Sequence, residues 1–373
     1  MTDGAESVVP RGVAILGSTG SIGKSALAVL ARQRDRFRVV ALTARDNQVA
    51  LSQQRAKWSP RLAGLVSEQG PELLIEAATH PDAAIVVNAV VGAAGLDATL
   101  AALRAGKRVA LANKETLVMA GDLVRAAAAE GGGELVPVDS EHSAVLQCVT
   151  GRESAMARLI LTASGGPFRA WSPERIARAT VAETLNHPTW KMGSKITVDS
   201  ATFANKALEV IEAHFLFGLS YDAVDVVVHP QSIIHGFVEF CDGSVIAQLG
   251  FPSMELPILY ALTHPERLAD TGVRRFDPVA AGALTFEPVR TDIFRAFRAG
   301  VAAGRAGGTA PAAFNAANEE AVAAFLAGAI PLGRIAETIE RVLEAHRGEP
   351  VRDLETVRAA DQRARKHARE VLS

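Results

Sequence analysis

Short, mainly apolar runs alternate with amphipathic stretches through the first part of the chain. Stretches of helical pattern, such as 24–32 and 96–105, separate these runs. Runs without polar alternation are typical of strands buried on both faces, and strands that alternate with helices predict a parallel sheet. The chain is therefore predicted to be an α/β protein whose N-terminal domain, residues 1–139, is a Rossmann-like doubly wound sheet. The five runs are 13–16, 39–42, 85–90, 108–112 and 135–138.

After the first domain, the pattern of apolar and polar positions no longer predicts a regular alternation of strands and helices. Strands are predicted at 159–161 and 224–228, and two further runs, 237–240 and 244–249, flank Cys241-Asp242-Gly243 as in a hairpin. We predict an α+β catalytic domain over residues 140–276.

Alanine-rich helical stretches dominate the C-terminal part of the chain. They cover 292–303 and 311–327, an apolar stripe with helical spacing runs from Ile335 to Leu343, and residues 361–372 form a basic amphipathic end. A C-terminal helical bundle, residues 291–373, is predicted, joined to the catalytic domain by a linker, 277–290.

Composition narrows the classes of function. The 373 residues are 49% hydrophobic and carry a formal net charge of −2, so no nucleic-acid partner is indicated. Two distant cysteines exclude a disulfide scaffold and suit a reducing compartment. No signal pattern or membrane-length apolar run is present, and we expect a cytoplasmic protein with no membrane partner.

A glycine-rich turn, Gly17-Ser18-Thr19-Gly20-Ser21-Ile22-Gly23, follows the first strand and precedes a helix. Glycines in this position let a backbone approach a dinucleotide pyrophosphate, although an ordinary strand-to-helix turn is the alternative. After the second strand, Arg45 would suit a ribose 2′-phosphate, whereas Asp46 would suit a 2′-hydroxyl. The sequence leaves that choice open.

Polar residues follow two later strands. Asn113-Lys114-Glu115 stand where ligands bind in doubly wound sheets, unless they only begin a helix with surface charges. Asp139 and Glu141 are two apart, so in extended chain their carboxylates point to one side, which is unfavourable unless a cation is bound. The alternative is a helix N-cap followed by first-turn acids.

The stretch 199–209, DSATFANKALE, is predicted to begin a helix with Ser200 or Thr202 as its cap. Asn205 and Glu209 share a face and Lys206 lies on the flank, a set that suits a phosphate and a hard cation. A solvated helix face with an intrahelical charge pair is the alternative.

Three further segments suit a closed substrate site. Ser164-Gly165-Gly166 can present a hydroxyl and N–H groups to an anion. The segment 186–194, which includes Trp190, is predicted to be a lid that excludes water, although its tryptophan could simply anchor a loop. His229 and His235 could serve the site, or be structural.

Seven motifs in one order, over about 13–319, resemble the 1-deoxy-D-xylulose 5-phosphate reductoisomerase family. They are GSTGSIG at 17–23, ALANKE at 110–115, VDSEHSA at 138–144, SGGPF at 164–168, HPTWKMG at 187–193, VDSATFANKALE at 198–209 and HPQSIIHG at 229–236. The resemblance implies an NADPH- and Mg²⁺- or Mn²⁺-dependent enzyme. It would rearrange the phosphorylated ketose and reduce it to 2-C-methyl-D-erythritol 4-phosphate for isoprenoid synthesis. It also implies a homodimer, with 237–249 as a plausible interface.

The resemblance also assigns roles by position. The implied metal ligands are Asp139, Glu141 and Glu209, and the phosphate site is Ser164, Ser200, Asn205 and Lys206. The implied catalytic residues are Lys114, Glu141, His187 and His235. Ser140, His187, Trp190 and Glu209 are implied to contact substrate. The implied nucleotide residues are Thr19, Gly20, Ser21, Ile22, Arg45, Asn47, Asn113, Glu115, Gly193 and Met254.

Two positions depart from the family pattern. The basic residue after the second strand is shifted and Asp46 follows it, and Glu255 replaces a commonly basic residue after Met254. Two alternatives stay open: another NAD(P)-dependent sugar-phosphate or semialdehyde oxidoreductase, and a non-catalytic NADP(H)-binding sensor.

Overall fold

The structure is a computed structural model that describes residues 9–373, so the first eight residues of the predicted domain 1–139 lie outside the described residues. The chain forms two compact units. Among the described residues, the first unit consists of 9–113, 126–139 and 253–274, and the second of 114–125, 140–252 and 275–373.

The first unit contains a six-stranded sheet in which every neighbouring pair is parallel. Its strands are β1 (Arg11–Leu16), β2 (Phe37–Ala44), β3 (Leu62–Leu65), β4 (Ile85–Asn88), β5 (Arg108–Leu111) and β6 (Glu134–Pro137). The order β3-β2-β1-β4-β5-β6 reverses direction between β1 and β4, which is where ligands bind in sheets of this type. The predicted doubly wound sheet is confirmed. Strand β3 was not predicted.

Helices connect these strands because each parallel pair needs a crossover. They are α1 (Ser21–Arg32), α2 (Gln48–Trp58), α3 (Val66–Gln69), α4 (Glu72–Thr79), α5 (Leu96–Arg104) and α6 (Lys114–Gly131), whose first part belongs to the second unit. A later helix, α12 (Glu255–Thr263), returns to the first unit.

Buried apolar residues of α12 and two ion pairs hold residues 253–274 to the first unit. The Arg32 guanidinium at the end of α1 lies 2.6 Å from a carboxylate oxygen of Glu255 and 2.6 Å from one of Asp270. The unexpected acid at position 255 is therefore balanced by a cation. The sequence analysis predicts residues 253–274 as part of the catalytic domain, 140–276, whereas their contacts place them in the first unit with the parallel sheet.

The second unit is built on a mixed five-stranded sheet of order β10-β9-β7-β8-β11. Its strands are β7 (Met156–Ala163), β8 (Val224–Val228), β9 (Ile234–Phe240), β10 (Val245–Leu249) and β11 (Glu287–Pro288). The predicted hairpin is confirmed, because β9 and β10 are antiparallel neighbours. Strand β11 lies inside the predicted linker 277–290 and pairs with β8, so this segment is part of the sheet.

The remaining helices belong to the second unit. They are α7 (Ser140–Val149), α8 (Pro173–Ala177), α9 (Val181–Leu185), α10 (Ser194–Thr202), α11 (Ala204–Phe217), α13 (Pro278–Ala281), α14 (Arg295–Ala306), α15 (Ala310–Leu326), α16 (Gly333–Ala345) and α17 (Leu354–Leu372). The apolar stripe predicted for α16 is buried at Ile335, Ile339 and Val342. It joins a core formed with α11, α14, α15 and α17. The predicted helical C-terminal part is confirmed, while the three domain boundaries stay a prediction.

Two local predictions were wrong. Ser200 and Thr202 do not cap a new helix, because they form the last turn of α10, and Phe203 in the left-handed region (φ 61°) separates α10 from α11. The chain after Asp139 is not extended either, because α7 begins at Ser140 and places Glu141 in its first turn. The alternative of a helix start with first-turn acids was the correct one there.

Within residues 9–373, no helix combines the length and the apolar character needed to cross a membrane.

Candidate active site

The glycine-rich turn of the first unit joins β1 directly to α1. A Cβ on Gly23 would lie 2.4 Å from the carbonyl oxygen of Gly17, so only glycine lets the helix start this close to the turn. Thr19 and Ile22 are half-buried, while Gly20 and Ser21 are exposed. Among the described residues, no side chain caps α1, and an uncapped helix start is suited to binding an anion.

The other nucleotide residues predicted in this unit follow strands or begin helices. The Arg45 side chain is 92% exposed, and its Nε lies 3.9 Å from a carboxylate oxygen of Asp46, which is a weak contact. Asn47 caps α2 by accepting a hydrogen bond from the Ala50 N–H at 3.1 Å. Arg45 is therefore available to a phosphate, while the Asn47 side-chain oxygen already has a structural partner.

Two further predicted nucleotide residues, Asn113 and Met254, lie in the first unit. The buried Asn113 amide donates to the carbonyl oxygens of Val90 at 2.6 Å and Gly92 at 2.8 Å, across the strand ends. Met254 is the residue that precedes α12. Asp139 ends the segment 126–139 of this unit and is half-buried.

A buried charge cluster occupies the second unit where α7 and α11 face each other. Lys206 Nζ lies 2.9 Å from Glu141 Oε1 and also contacts Glu209 Oε2. It further donates to the carbonyl oxygen of Thr162, at the end of β7, at 2.6 Å. Burial lowers the pKa of Lys206, but the two carboxylates outweigh burial and raise it, so the ammonium keeps its charge.

The start of α6 adds a second lysine to the cluster. Lys114 Nζ donates to Asn205 Oδ1 at 2.8 Å and to Glu209 Oε1 at 3.2 Å, and Asn205 Nδ2 also donates to Glu209. The exposed fraction of the Glu209 side chain is 1%. The alternative of a solvated helix face is thus wrong. Lys206, predicted on the flank of this face, contacts Glu209 three residues further along α11.

This cluster fits a hard divalent cation by its donor chemistry. Glu141 and Glu209 direct carboxylate oxygens at one shared cation, the Lys206 ammonium, and carboxylates are the ligands that Mg²⁺ and Mn²⁺ prefer. Ser140 donates a hydrogen bond to Glu141 Oε2 and so helps to orient it. The buried Glu209 and the half-buried Glu141 need a positive partner at this point, and a metal ion can supply part of that charge.

The predicted lid segment, 186–194, has no regular structure from the end of α9 to the start of α10. His187 anchors it, since its Nδ1 accepts the N–H groups of Thr189 at 3.1 Å and Trp190 at 2.9 Å. That leaves the proton on Nε2, which contacts Ser164 Oγ at 3.0 Å. The Trp190 ring lies 6.4 Å from the His235 ring, centroid to centroid.

Protonation of His187 should loosen this anchor. Burial lowers the pKa of His187 below its ordinary value near 6.5. Its stabilising contribution is therefore complete above about pH 6.5 and is lost as the pH falls from there through the folded-state pKa, because the unfolded chain takes up the proton first. We expect an NMR titration of the His187 imidazole to give a midpoint below that of a model peptide. A midpoint above it would contradict the burial argument, and His187→Gln should remove the signal.

The serine-glycine-glycine turn packs on α10. Gly166 has a φ of +64°, and a Cβ there would lie 2.9 Å from the carbonyl oxygen of Ser200, so the turn and Ser200 are neighbours. Of the four predicted phosphate residues, Ser164 and Ser200 lie at this turn, whereas Asn205 and Lys206 hydrogen bond to carboxylates. His235 is buried, its Nε2 lies 3.2 Å from the carbonyl oxygen of Gly250, and burial lowers its pKa.

Sequence reasoning missed one buried pair beside the cluster. His142 Nδ1 lies 3.2 Å from Glu212 Oε2, and His142 Nε2 lies 2.9 Å from the backbone oxygen of Glu209. This pair ties α7 to α11 directly behind Glu141 and Glu209. Two sequence features could have indicated this pair. His142 directly follows Glu141, and Glu212 lies about one helical turn after Glu209.

A dinucleotide-type sheet in one unit, and lysines buried against paired carboxylates in the other, define an α/β oxidoreductase that acts on a small polar substrate. Comparison with known proteins identifies the family within this class. Models described as 1-deoxy-D-xylulose 5-phosphate reductoisomerase match residues 13–70 and 65–121. Models of its C-terminal domains match residues 135–217 and 249–367. The chain belongs to the 1-deoxy-D-xylulose 5-phosphate reductoisomerase family.

Relatives of that name match over nearly their whole length. The protein from Geobacillus kaustophilus is 49% identical over 379 residues, which cover 97% of this chain and 99% of the relative. The protein from Geobacter sp. strain M21 is 50% identical over 381 residues, with coverages of 97% and 99%.

Solved structures agree with the fold. A DOX-P reductoisomerase in complex with NADPH, fosmidomycin and magnesium superposes with a TM-score of 0.90 at 39% identity, covering 97% of this chain and 98% of that one. The Zymomonas mobilis enzyme in complex with NADPH gives 0.89 at 40% identity, with coverages of 98% and 100%. The family, fold class and enzymatic activity predicted from the sequence are confirmed, while the roles of individual residues stay predictions.

Proposed function

We propose that this chain converts 1-deoxy-D-xylulose 5-phosphate into 2-C-methyl-D-erythritol 4-phosphate, using NADPH and Mg²⁺ or Mn²⁺. The observation that carries the proposal is the cluster of the buried Lys114, Lys206 and Glu209 with the half-buried Glu141 and Asn205 in the second unit. The similar structures are described as complexes with NADPH and with magnesium, which supports the choice of cofactors.

Asp139, Glu141 and Glu209 would hold the cation. When bound, the metal supplies a Lewis acid that stabilises negative charge developing on substrate oxygens, and NADPH supplies the hydride. Three carboxylates leave room for substrate oxygens in a six-coordinate shell. What supports Glu141 and Glu209 is their contact with one shared cation, the Lys206 ammonium.

The substrate would be oriented at both ends. Ser164, Ser200, Asn205 and Lys206 would bind its phosphate, supported by the turn at Ser164 and by the ammonium of Lys206. Lys114 would hold its proton on Nζ next to the reacting oxygens, since it already hydrogen bonds to the Glu209 carboxylate. Binding energy from the phosphate, which is remote from the reacting carbons, can then orient the substrate.

The segment 186–194 would cover the bound substrate and exclude water. Trp190 would lie over the substrate, while His187 would hold the segment to Ser164 and His235 would line the pocket. Ser140 would contact the substrate hydroxyls beside Glu141. Exclusion of water strengthens every charge interaction in the site.

The nucleotide would lie on the glycine-rich turn of the first unit. Thr19, Gly20, Ser21 and Ile22 would bind the pyrophosphate at the start of α1, supported by its uncapped N–H groups. Arg45 would bind the 2′-phosphate, with Asn47 nearby. Asn113, Glu115, Gly193 and Met254 would bind the nicotinamide half.

The direct test follows absorbance at 340 nm with 1-deoxy-D-xylulose 5-phosphate and Mn²⁺, in parallel with NADPH and NADH. We expect turnover with NADPH to exceed turnover with NADH, because the exposed Arg45 outweighs Asp46 at a 2′-phosphate. Equal turnover would overturn the role of Arg45. Nucleotide binding without any turnover would favour the two alternatives, another oxidoreductase or a sensor.

We also propose a cytoplasmic homodimer. Strand β10 forms an edge of the second sheet, and Val245 and Ile246 on it are 52% and 37% exposed. An edge of this kind invites pairing with another chain. Analytical ultracentrifugation should give a dimer, and Ile246→Lys should shift it toward monomer; a wild-type monomer at micromolar concentration would contradict the proposal.

A further inference from the structure

A second buried charge cluster lies at the start of α10. Lys195 Nζ is 2.7 Å from Glu115 Oε1 and 2.9 Å from Asp199 Oδ2. The side chains of Lys195, Glu115 and Asp199 are 19%, 8% and 1% exposed. Lys195 stands two residues after Gly193, where the segment 186–194 ends. One ammonium thus joins the end of that segment to the start of α6.

The C-terminal helices hold this cluster from the other side. Asn318 Nδ2 on α15 donates to Asp199 Oδ1 at 2.8 Å, and both side chains are buried. The next residue of α15, Glu319, accepts from Arg365 on α17 at 2.6 Å. The position of Asp199, and with it one side of Lys195, is therefore set by helices that contribute no residue to the predicted site.

Glu115 depends on Lys195 for its charge and its position. Burial raises the pKa of Glu115, but the charge and hydrogen bond of Lys195, together with a backbone hydrogen bond and the charge of Lys114, outweigh burial, so this pKa lies below its ordinary value and the carboxylate stays ionised. A buried carboxylate that loses its cation is strongly unfavourable and moves or takes up a proton. Glu115 lies in the first turn of α6, and Lys195 holds its carboxylate there.

We infer that Lys195 is a positioning residue of the nucleotide site, which links the end of the segment 186–194 to Glu115, and that α15 fixes this link through Asn318 and Asp199. The inference rests on the proposed function, in which Gly193 and Glu115 bind the nicotinamide half of the nucleotide.

Lys195→Met tests the inference through NADPH affinity. We expect the Kd and KM for NADPH to rise about tenfold, because Glu115 loses its cation. The KM for the phosphorylated ketose should change less than about twofold, since Lys195 touches none of the predicted substrate residues. Lys195→Arg keeps the charge and should restore the NADPH Kd to within about threefold of wild type. Lys366→Met is the matched control, because Lys366 is also four residues from an acid on a helix but is 81% exposed.

A double-mutant cycle with Glu115→Gln separates positioning from a general structural role. If Lys195 acts through Glu115, Lys195→Met should change the NADPH Kd less than about twofold in the Glu115→Gln background. A general loss of structure would instead multiply the two effects. Lys195→Gln, which keeps an N–H donor for both carboxylates, replaces Lys195→Met in the cycle if the methionine variant is not folded by circular dichroism.

The outcomes separate the inference from the proposed function. A wild-type enzyme that turns over its substrate, together with a Lys195→Met variant of unchanged NADPH Kd, overturns the inference alone. Multiplied effects in the cycle overturn it as well. A wild-type protein that binds NADPH but does not turn over the ketose phosphate overturns the proposed function, whatever the variants do.

Discussion

Replacing Glu209 by glutamine should lower metal-dependent kcat by about a thousandfold while leaving the Kd for NADPH within about twofold of wild type. The physical reason is charge. Glutamine has nearly the same shape, but it removes one of the carboxylates proposed to hold the cation. Stabilisation of developing charge by a metal is worth several kcal/mol, at about 1.4 kcal/mol for each tenfold in rate.

The same substitution also affects folding, so the measurement has to separate the two effects. Glu209 receives hydrogen bonds from Lys114, Lys206 and Asn205, and a glutamine amide cannot accept from all of them. Turnover should therefore be titrated with Mn²⁺ at a temperature where circular dichroism shows the variant folded. Glu344→Gln, on an exposed face of α16, is the matched control. Near-wild-type turnover in a folded Glu209→Gln variant would remove Glu209 from the metal site.

Local sequence patterns were sufficient for most of the framework. Apolar runs located β1, β2, β4, β5 and β6, because a strand buried on both faces has few polar positions. Strand β3, with the sequence LAGL, is short and only half-buried at its start, so it carries no such pattern. Helix α17 begins at Leu354, seven residues before the predicted start, because Asp353 accepts the Thr356 N–H as an N-cap in a stretch that is otherwise charged.

The break between α10 and α11 could not be predicted from local preference. Phe203 adopts a left-handed conformation that glycine or asparagine normally takes. Its ring is buried and stacks on Phe294, with 4.3 Å between centroids. Packing against a residue far along the chain therefore overrides the backbone preference, and no window around position 203 contains that information.

The residues of the candidate site could be predicted from the sequence, but fewer of the contacts between them could. Glu209 and Asn205 are four apart on one helix, and sequence spacing is enough to bring them together. Lys206 bonds to the Thr162 carbonyl, and Lys195 to Glu115, only because distant segments meet. Such contacts follow from tertiary structure. The sequence analysis therefore predicts neither the hydrogen bond from Lys206 to Thr162 nor any role for Lys195.

Lys206→Met should produce the largest loss of stability in the second unit, about 3–5 kcal/mol in the free energy of unfolding, because it leaves buried carboxylates without one of their cations. Glu141 and Glu209 both lose a partner, and the carbonyl oxygen of Thr162 loses its donor. Turnover should fall at least about a hundredfold, because the proposed phosphate site loses a charge-assisted hydrogen bond and the carboxylates lose their alignment.

Added metal should compensate the variant more than the wild type. A divalent cation bound by Glu141 and Glu209 replaces part of the missing charge, and a ligand that binds only the folded state raises the midpoint of unfolding. We therefore expect Mn²⁺ to raise the Tm of Lys206→Met by more than it raises the Tm of the wild type, in thermal unfolding followed by circular dichroism. Lys366→Met, an exposed lysine on α17, should behave as wild type in both conditions. If the Tm of Lys206→Met without metal equals that of the wild type, Lys206 does not neutralise these carboxylates. If Mn²⁺ leaves the Tm of Lys206→Met unchanged, Glu141 and Glu209 do not bind the metal.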